Sequence, residues 1–123
     1  MRRILVDGCF DPVHLGHIRY LKEAETFGEV IVHVALDAAI EAKGRKPFQT
    51  KREREMMFRA LGFQVDYMDT LASALTYSHY SYLVKGYEWY GKLPVDVIAA
   101  CEKQHTGIIY TMTEERHSSE RLA

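Results

Sequence analysis

The chain has 123 residues, enough for one domain that buries roughly two-thirds of its unfolded surface without disulfides or metals. Its composition, 47% hydrophobic and 27% charged, is ordinary for a soluble globular protein, so we expect a single domain over residues 1–123. The net charge of −1 gives no broad basic excess, and nucleic acid is therefore not expected as a partner.

Cysteine content and hydropathy indicate a cytoplasmic protein. The two cysteines, Cys9 and Cys101, lack CxxC spacing and form no obvious disulfide framework, which fits a reducing compartment. No apolar run approaches the length of a membrane span, and the N-terminus lacks the long apolar core of a signal peptide. We therefore expect a cytoplasmic protein without a membrane partner.

Predicted strands alternate with predicted helices along the chain. Short apolar or alternating runs, typical of buried strands, occur at residues 3–6, 30–36, 64–68, 82–84 and 108–110. Helical spacing starts at residue 18 and recurs over residues 37–42, 50–61, 71–77 and 95–103. Apolar residues predict the inward face of two helices: Met56, Met57, Ala60 and Leu61 in the third, and Val95, Ile98 and Ala99 in the last.

This alternation predicts an α/β, Rossmann-like fold, in which a doubly wound, five-stranded parallel sheet carries helices on both faces. The expected strand order is 3-2-1-4-5. Ligands of such sheets bind at the carboxyl ends of the strands, where the strand order reverses. The order brings the loop after the first strand opposite the loop after the fourth.

Two histidines lie where the first strand gives way to the first helix. His14 and His17 are three positions apart, so on a first helical turn their side chains lie on one face. A helix N-terminus favours phosphate, and two imidazoles can donate hydrogen bonds to charge that develops on a phosphoryl oxygen. Gly16 between them lets a ligand approach the backbone. A lone histidine is more often structural, but this pair favours a phosphate site.

Residues 8–17, GCFDPVHLGH, resemble the GxFDxxHxGH signature of the cytidylyltransferase-like nucleotidyltransferases. The resemblance runs over residues 4–119 and includes two further segments in family order. The basic segment 44–54 is similar to the family's GRP…ER stretch, and residues 84–92 are similar to its VKGxD(W/Y) and GDDWEGK versions, with Glu88 in place of aspartate. The C-terminal match is partial, because Thr113 stands where cytidylyltransferases have arginine and Glu120 replaces a hydroxyl residue.

The resemblance implies an enzyme that transfers a nucleoside monophosphate from CTP or ATP to a small sugar or polyol phosphate and releases pyrophosphate. It implies catalytic roles for His14, His17 and Lys46, and Mg²⁺ that is bound through the substrate phosphates and not in a protein cage. The remaining residues expected to bind nucleotide or phosphate are Gly8, Phe10, Asp11, Gly16, Arg54, Gly86, Glu88, Trp89, Ser118 and Ser119.

The sequence leaves alternatives open for the nucleobase and for the activity. Residues 86–92 favour a glycerol-3-phosphate cytidylyltransferase, whereas residues 8–11 and 83–86 favour the heptose-phosphate adenylyltransferases. Members of the family often form dimers, so a homodimer is expected. The altered C-terminal turn motivates one alternative, a non-catalytic nucleotide-binding or regulatory domain. The other is a metal-binding protein that uses Asp11, His14 and His17, which lack an evident fourth ligand.

Overall fold

The computed structural model describes residues 1–112, which form one sheet of parallel strands with helices on both faces. The neighbouring strands follow the order 3-2-1-4-5, which confirms the predicted topology. The strands are β1 (Arg3–Gly8), β2 (Glu29–Val34), β3 (Gln64–Asp66), β4 (Tyr82–Gly86) and β5 (Gly107–Thr111). The α-helices in this range are α1 (Leu15–Glu25), α2 (Asp37–Glu41), α3 (Lys51–Ala60), α4 (Leu71–Tyr77) and α5 (Val95–Gln104).

Both faces of the sheet are covered, which is why its strands are nearly continuous apolar runs. On one face, α1 and α3 pack Tyr20, Leu21 and Phe58 against strand residues such as Val6. On the other face, α4 and α5 form a second apolar core against the strands. Its buried members are Leu5, Ile31, Ala74, Leu75, Tyr80, Leu83, Val97, Ala100 and Cys101.

Helix α3 buries a different face from the one predicted. Met56 and Leu61 are 57% and 58% exposed, whereas Phe58 and Arg54 are fully buried. Thr50 caps the helix in a capping box with Glu53, so the helix begins where the sequence predicts. Met57 is partly buried against the core, as predicted, but Met56 and Leu61 are exposed. The buried face contains Arg54, which an argument from apolar spacing places in solvent.

Helix α5 also buries a different face from the one predicted, since Val95, Ile98 and Ala99 are all exposed. Val95 is 83% exposed and Ile98 is 39% exposed, while Val97, Ala100 and Cys101 face the core. Val95 is the first residue of the helix, at its exposed start. In the described range no helix is long and apolar enough to cross a membrane.

The burial of Phe58 gives a direct test of the α3 face. Phe58→Ala is expected to lower the free energy of unfolding by about 3–5 kcal/mol, because it leaves a cavity in the core beneath the sheet. Met56→Ala, on the solvent side of the same helix, is expected to change it by roughly 0.5 kcal/mol or less. Urea unfolding followed by circular dichroism measures both, and equal losses would contradict the observed face.

Candidate active site

The N-terminus of α1 is capped by the two histidines themselves. His14 is the N-cap residue, and its Nδ1 accepts from the Gly16 N–H at 3.1 Å. The Nδ1 of His17, at the third helical position, accepts from the His14 N–H at 3.2 Å, which completes a reciprocal capping box. The two rings stack with centroids 3.7 Å apart and planes at 23°. Backbone N–H groups that favour an anion are therefore already bonded to imidazole.

Both imidazoles are held neutral with a defined tautomer. Burial, followed by the charges of His14 and Lys43, lowers the pKa of His17 from 6.5 to about 3. Burial also lowers the pKa of His14 below 6.5. Because each Nδ1 accepts a backbone hydrogen bond, each ring carries its hydrogen on Nε2. The capping box thus makes Nε2 the donor nitrogen of both rings.

Phe10 packs against this turn from the hydrophobic core and does not line the cleft. Its side chain is fully buried, with its ring edge-on to His17 at a centroid distance of 4.9 Å and to Phe58 at 4.7 Å. Its φ of 52° is unusual for a bulky residue. A Cβ on Gly8 would lie 3.0 Å from the Phe10 ring, so glycine there makes room for the aromatic side chain. The structure corrects the expectation that Phe10 contacts nucleotide.

A cleft of about 570 Å³ opens at the carboxyl ends of β1 and β4, where the strand order reverses. The predicted site residues that line it are Gly8, His14, His17, Gly86, Glu88 and Trp89. The fold therefore brings the segment after β1 and the segment after β4 together, as the strand order predicts. Further polar or charged lining residues that the sequence argument did not select are Asp7, Cys9, Lys43, Lys85 and Lys92.

Two of these additional residues form a buried ion pair. Lys85, 4% exposed, donates from Nζ to Asp7 Oδ1 at 2.7 Å. Asp7 directly precedes Gly8 and Lys85 directly precedes Gly86, so both are strand-end residues beside predicted site residues. That position is a signal that could have identified them from the sequence, since strand ends at the reversal point collect ligand-binding side chains.

Glu88 brings an unsatisfied acceptor to the same cleft. Its carboxylate lies against Gly86, where a Cβ would be 2.6 Å from both carboxylate oxygens. The Oε2 atom is buried and has no hydrogen-bond partner among residues 1–112. Since a buried acceptor without a partner is unfavourable, this oxygen is suited to a ligand hydroxyl or amino group.

Asp11 anchors the basic loop, which is the part of the basic segment 44–54 that precedes α3. Its side chain is fully buried and accepts from Arg45 at 2.8 Å and from the backbone N–H groups of Phe48 and Gln49 at 2.8 and 3.0 Å. Burial raises the pKa of Asp11, but these hydrogen bonds and the Arg45 charge outweigh it and hold the pKa below 3.8. Asp11 is therefore a loop anchor, and its expected contact with nucleotide or phosphate stays a prediction.

Arg54 is also a structural residue, contrary to its expected contact with phosphate. The guanidinium is fully buried and donates to the carbonyl oxygens of Cys9, Ala35 and Gln49 at 2.7, 2.9 and 3.2 Å. It also pairs with Asp37 at 2.5 Å. One side chain thus joins the segments that follow β1 and β2 to the loop before α3.

The other predicted residues have different positions. Lys46 is exposed on the loop that Asp11 anchors and does not line the cleft, whereas Lys43 does. Gly16 is buried in the first turn of α1, where its N–H bonds to His14. Ser118 and Ser119 lie outside the described residues.

The metal-binding alternative finds no support in the described range. No group of three His, Cys, Asp or Glu side chains within residues 1–112 is arranged to hold a metal ion. The carboxylate oxygens of Asp11 are bonded to the basic loop, and the Nδ1 atoms of His14 and His17 are bonded to the helix backbone. These three residues therefore do not form a shared ligand set.

A parallel sheet that reverses its strand order beside a cleft lined with neutral imidazoles and lysines defines a Rossmann-like α/β domain suited to a phosphorylated ligand. Sequence comparison agrees with this class. The family model described as cytidylyltransferase-like matches residues 5–120, and the chain belongs to that family.

Two kinds of relative share part of their length with this chain. It is 34% identical over 109 residues to the bifunctional protein HldE of Campylobacter jejuni, a match that covers 80% of this chain and 23% of the relative. It is 43% identical over 61 residues to FAD synthase of Thermococcus sibiricus, covering 48% of this chain and 41% of that protein. The chain thus aligns with less than a quarter of the length of this HldE relative.

A solved structure confirms the fold. The crystal structure of the lipopolysaccharide core biosynthesis protein from Thermoplasma volcanium GSS1 is similar with a TM-score of 0.71 and 23% sequence identity. The likeness covers 93% of this chain and 98% of that chain. At this level of identity it supports the fold and says nothing about the substrate.

The assigned tautomers can be measured directly. Long-range ¹H–¹⁵N spectra of the histidine rings are expected to show His14 and His17 as neutral Nε2–H tautomers at pH 7, with His17 still neutral at pH 5. The unfolded chain takes up its proton first, near pH 6.5, so the stability from neutral His17 is complete above that pH. It is lost progressively as the pH falls from 6.5 towards 3. A charged His17 at pH 6 would contradict the capping geometry.

Removal of the Asp11 anchor is expected to release the basic loop. Asp11→Ala leaves the Phe48 and Gln49 N–H groups without their acceptor, so their amide exchange should accelerate by about tenfold or more. The free energy of unfolding should fall by roughly 1–3 kcal/mol. Asp69→Ala, at an exposed aspartate, is the matched control and should change neither quantity. Unchanged exchange in Asp11→Ala would contradict the anchoring role.

Proposed function

We propose that the protein is a nucleotidyltransferase that moves a nucleoside monophosphate from CTP or ATP to a small sugar or polyol phosphate and releases pyrophosphate. Membership of the cytidylyltransferase-like family supports the reaction class. The observation that carries the proposal is the stacked, neutral pair His14 and His17, whose Nε2–H groups are the donors of two rings lining the cleft.

The reaction proposed for this cleft is an in-line displacement at the α-phosphorus. The acceptor phosphate monoester is already nucleophilic at neutral pH, so no general base is needed. A bond forms between an acceptor oxygen and the α-phosphorus, and the bond from that phosphorus to the bridging oxygen of pyrophosphate breaks. Catalysis is then positioning together with stabilisation of charge on the phosphoryl oxygens.

Each group of lining residues has a proposed task. The imidazoles of His14 and His17 donate to the triphosphate, and because they are neutral they do so without titrating at working pH. Lys43, which lines the cleft, adds a positive charge for the phosphates. Lys46, on the loop anchored by Asp11, is proposed to contact the α-phosphate or the acceptor. Glu88, whose Oε2 has no hydrogen-bond partner within residues 1–112, is proposed to accept from ribose or base.

The residues present fit Mg²⁺ that arrives with the triphosphate. Within residues 1–112 the donor set forms no cage of carboxylates and imidazoles, whereas phosphate oxygens and water are the usual ligands of Mg²⁺ in nucleotide sites. Bound in this way, the ion neutralises charge on the phosphate oxygens.

The nucleobase stays open between adenine and cytosine. One relative is named FAD synthase, after a product that contains adenine, and this supports testing ATP first. The match covers only 48% of this chain, so CTP belongs in the same screen.

A pyrophosphate-release screen tests the proposal. ATP and CTP are each combined with Mg²⁺ and a panel of sugar and polyol phosphates, and turnover is expected with one nucleotide and a narrow set of acceptors. His17→Ala should lower kcat by on the order of 100- to 1,000-fold, because it removes one donor to the phosphoryl charge. His17→Gln is the matched variant, since a glutamine at this position can complete the capping box and preserve the helix start.

The two variants separate structure from chemistry. If His17→Gln folds like the wild type but also loses turnover, the imidazole acts in the reaction beyond its capping role. Nucleotide binding without pyrophosphate release under every condition would instead support the non-catalytic nucleotide-binding domain. Equal turnover in wild type and His17→Ala would exclude the proposed role of the histidine.

A further inference from the structure

The ion pair of Lys85 with Asp7 has no task in the reaction described above. The pair is internal, since the Lys85 side chain is 5% exposed and the Asp7 side chain 14% exposed. Strand register explains their contact: Val6 pairs with Val84, so the next residue of each strand lies beside the other at the carboxyl edge of the sheet. Asp7 therefore fixes the position of the Lys85 ammonium from the neighbouring strand.

The same ammonium lies against an aromatic ring of the cleft. Lys85 Nζ is 4.3 Å from the centroid of the Trp89 ring, within the range of a cation–π interaction. Trp89 ends the short 3-10 turn Tyr87–Trp89 directly after β4 and is 39% exposed. Lys85 thus occupies one face of the indole, and a ligand can pack against the other.

We propose that Asp7 and Lys85 position Trp89 as the surface on which the nucleoside of the triphosphate packs. Lys85 is then a positioning residue that sets nucleoside affinity, not a phosphate ligand. The inference rests on the nucleotidyltransferase function proposed above, because it takes a nucleoside triphosphate as the ligand of this cleft.

Three features favour positioning over direct contact with phosphate. The Lys85 side chain is almost fully buried, its charge is already balanced by Asp7, and its ammonium is in contact with an aromatic ring. Lys43 is the contrasting case, because it is an exposed lysine that lines the same cleft without an ionic partner among residues 1–112. A phosphate entering the cleft therefore meets the charge of Lys43 more readily than that of Lys85.

Glu88 adds a polar contact beside the indole. It precedes Trp89 in the same 3-10 turn, and its buried Oε2 has no partner in the described part of the chain. An aromatic face next to a carboxylate acceptor suits a ligand that has a planar ring and hydroxyl or amino donors beside it. A nucleoside has both properties, whereas inorganic polyphosphate has neither.

The difference between nucleoside and polyphosphate gives the test. Trp89 is the only tryptophan of the chain, so intrinsic tryptophan fluorescence reports on this position alone. Affinities for ATP, CTP and inorganic tripolyphosphate are measured by calorimetry on the wild type and Lys85→Met. Lys85→Met should weaken binding of the preferred nucleoside triphosphate by on the order of tenfold and leave tripolyphosphate within about twofold. Its Trp89 emission should shift in the free protein.

Matched variants complete the design. Lys85→Arg keeps a cation that stacks on the indole and should restore most of the nucleotide affinity. Lys43→Met removes a lysine from the same cleft and should weaken both ligands to a similar extent without moving the Trp89 emission. Because Lys85→Met leaves Asp7 unpaired, the double variant Asp7→Asn with Lys85→Met removes both charges and provides a second protein without the cation, with folding checked by circular dichroism.

The outcomes distinguish this inference from the transferase activity. Equal weakening of tripolyphosphate and nucleotide in Lys85→Met would overturn the positioning role and make Lys85 a phosphate ligand. Unchanged nucleotide affinity in both variants that lack the cation would also overturn it. If the wild type releases no pyrophosphate but nucleotide affinity still depends on Lys85 as described, the transferase proposal fails while the positioning role stands.

Discussion

The candidate site depends on the reciprocal capping of α1 by His14 and His17. Helix N-termini normally offer their unpaired N–H groups to an anion, but here the imidazoles accept from this backbone. Each ring accepts a backbone hydrogen bond at Nδ1 and carries its own hydrogen on Nε2. The same hydrogen bonds fix the tautomer, and burial keeps the rings uncharged. The two side chains that cap the helix therefore also line the cleft, where they are proposed to bind phosphate.

Two buried charges hold the segments around this turn in place. Arg54 donates to carbonyl oxygens that follow β1 and β2, and Asp11 accepts from the loop that leads into α3. Both satisfy backbone groups that irregular segments would otherwise leave without partners. The carboxyl edge of the sheet can therefore keep an ordered shape without regular secondary structure. Charged side chains that resemble ligand contacts in sequence serve here to build the site.

The sequence was sufficient to predict the sheet, but it did not predict which side chains are buried and which line the cleft. Apolar runs and helical spacing predict the strands and the doubly wound class, and the expected strand order was taken from that class. The predicted inward face of α3 was wrong at Met56 and Leu61, since hydropathy cannot show that Arg54 satisfies carbonyl oxygens inside the core. In α5 the buried residues are Val97, Ala100 and Cys101 and not the predicted Val95, Ile98 and Ala99. Asp11 and Phe10 were assigned to ligand contact for a different reason: a motif identifies residues near a site without showing which of them point away from it. Lys85 was recognised only from the strand register of the structure, which places it beside Asp7.

Phe10 joins the turn between β1 and α1 to the interior, since its ring contacts both His17 and Phe58. The imidazole consequently rests on the same aromatic packing that stabilises the sheet and α3. Thermal adaptation of this protein cannot repack that region without also moving the His17 ring, which lines the cleft. Homologues from hot and cold habitats should therefore differ less at these three positions than elsewhere in their interiors.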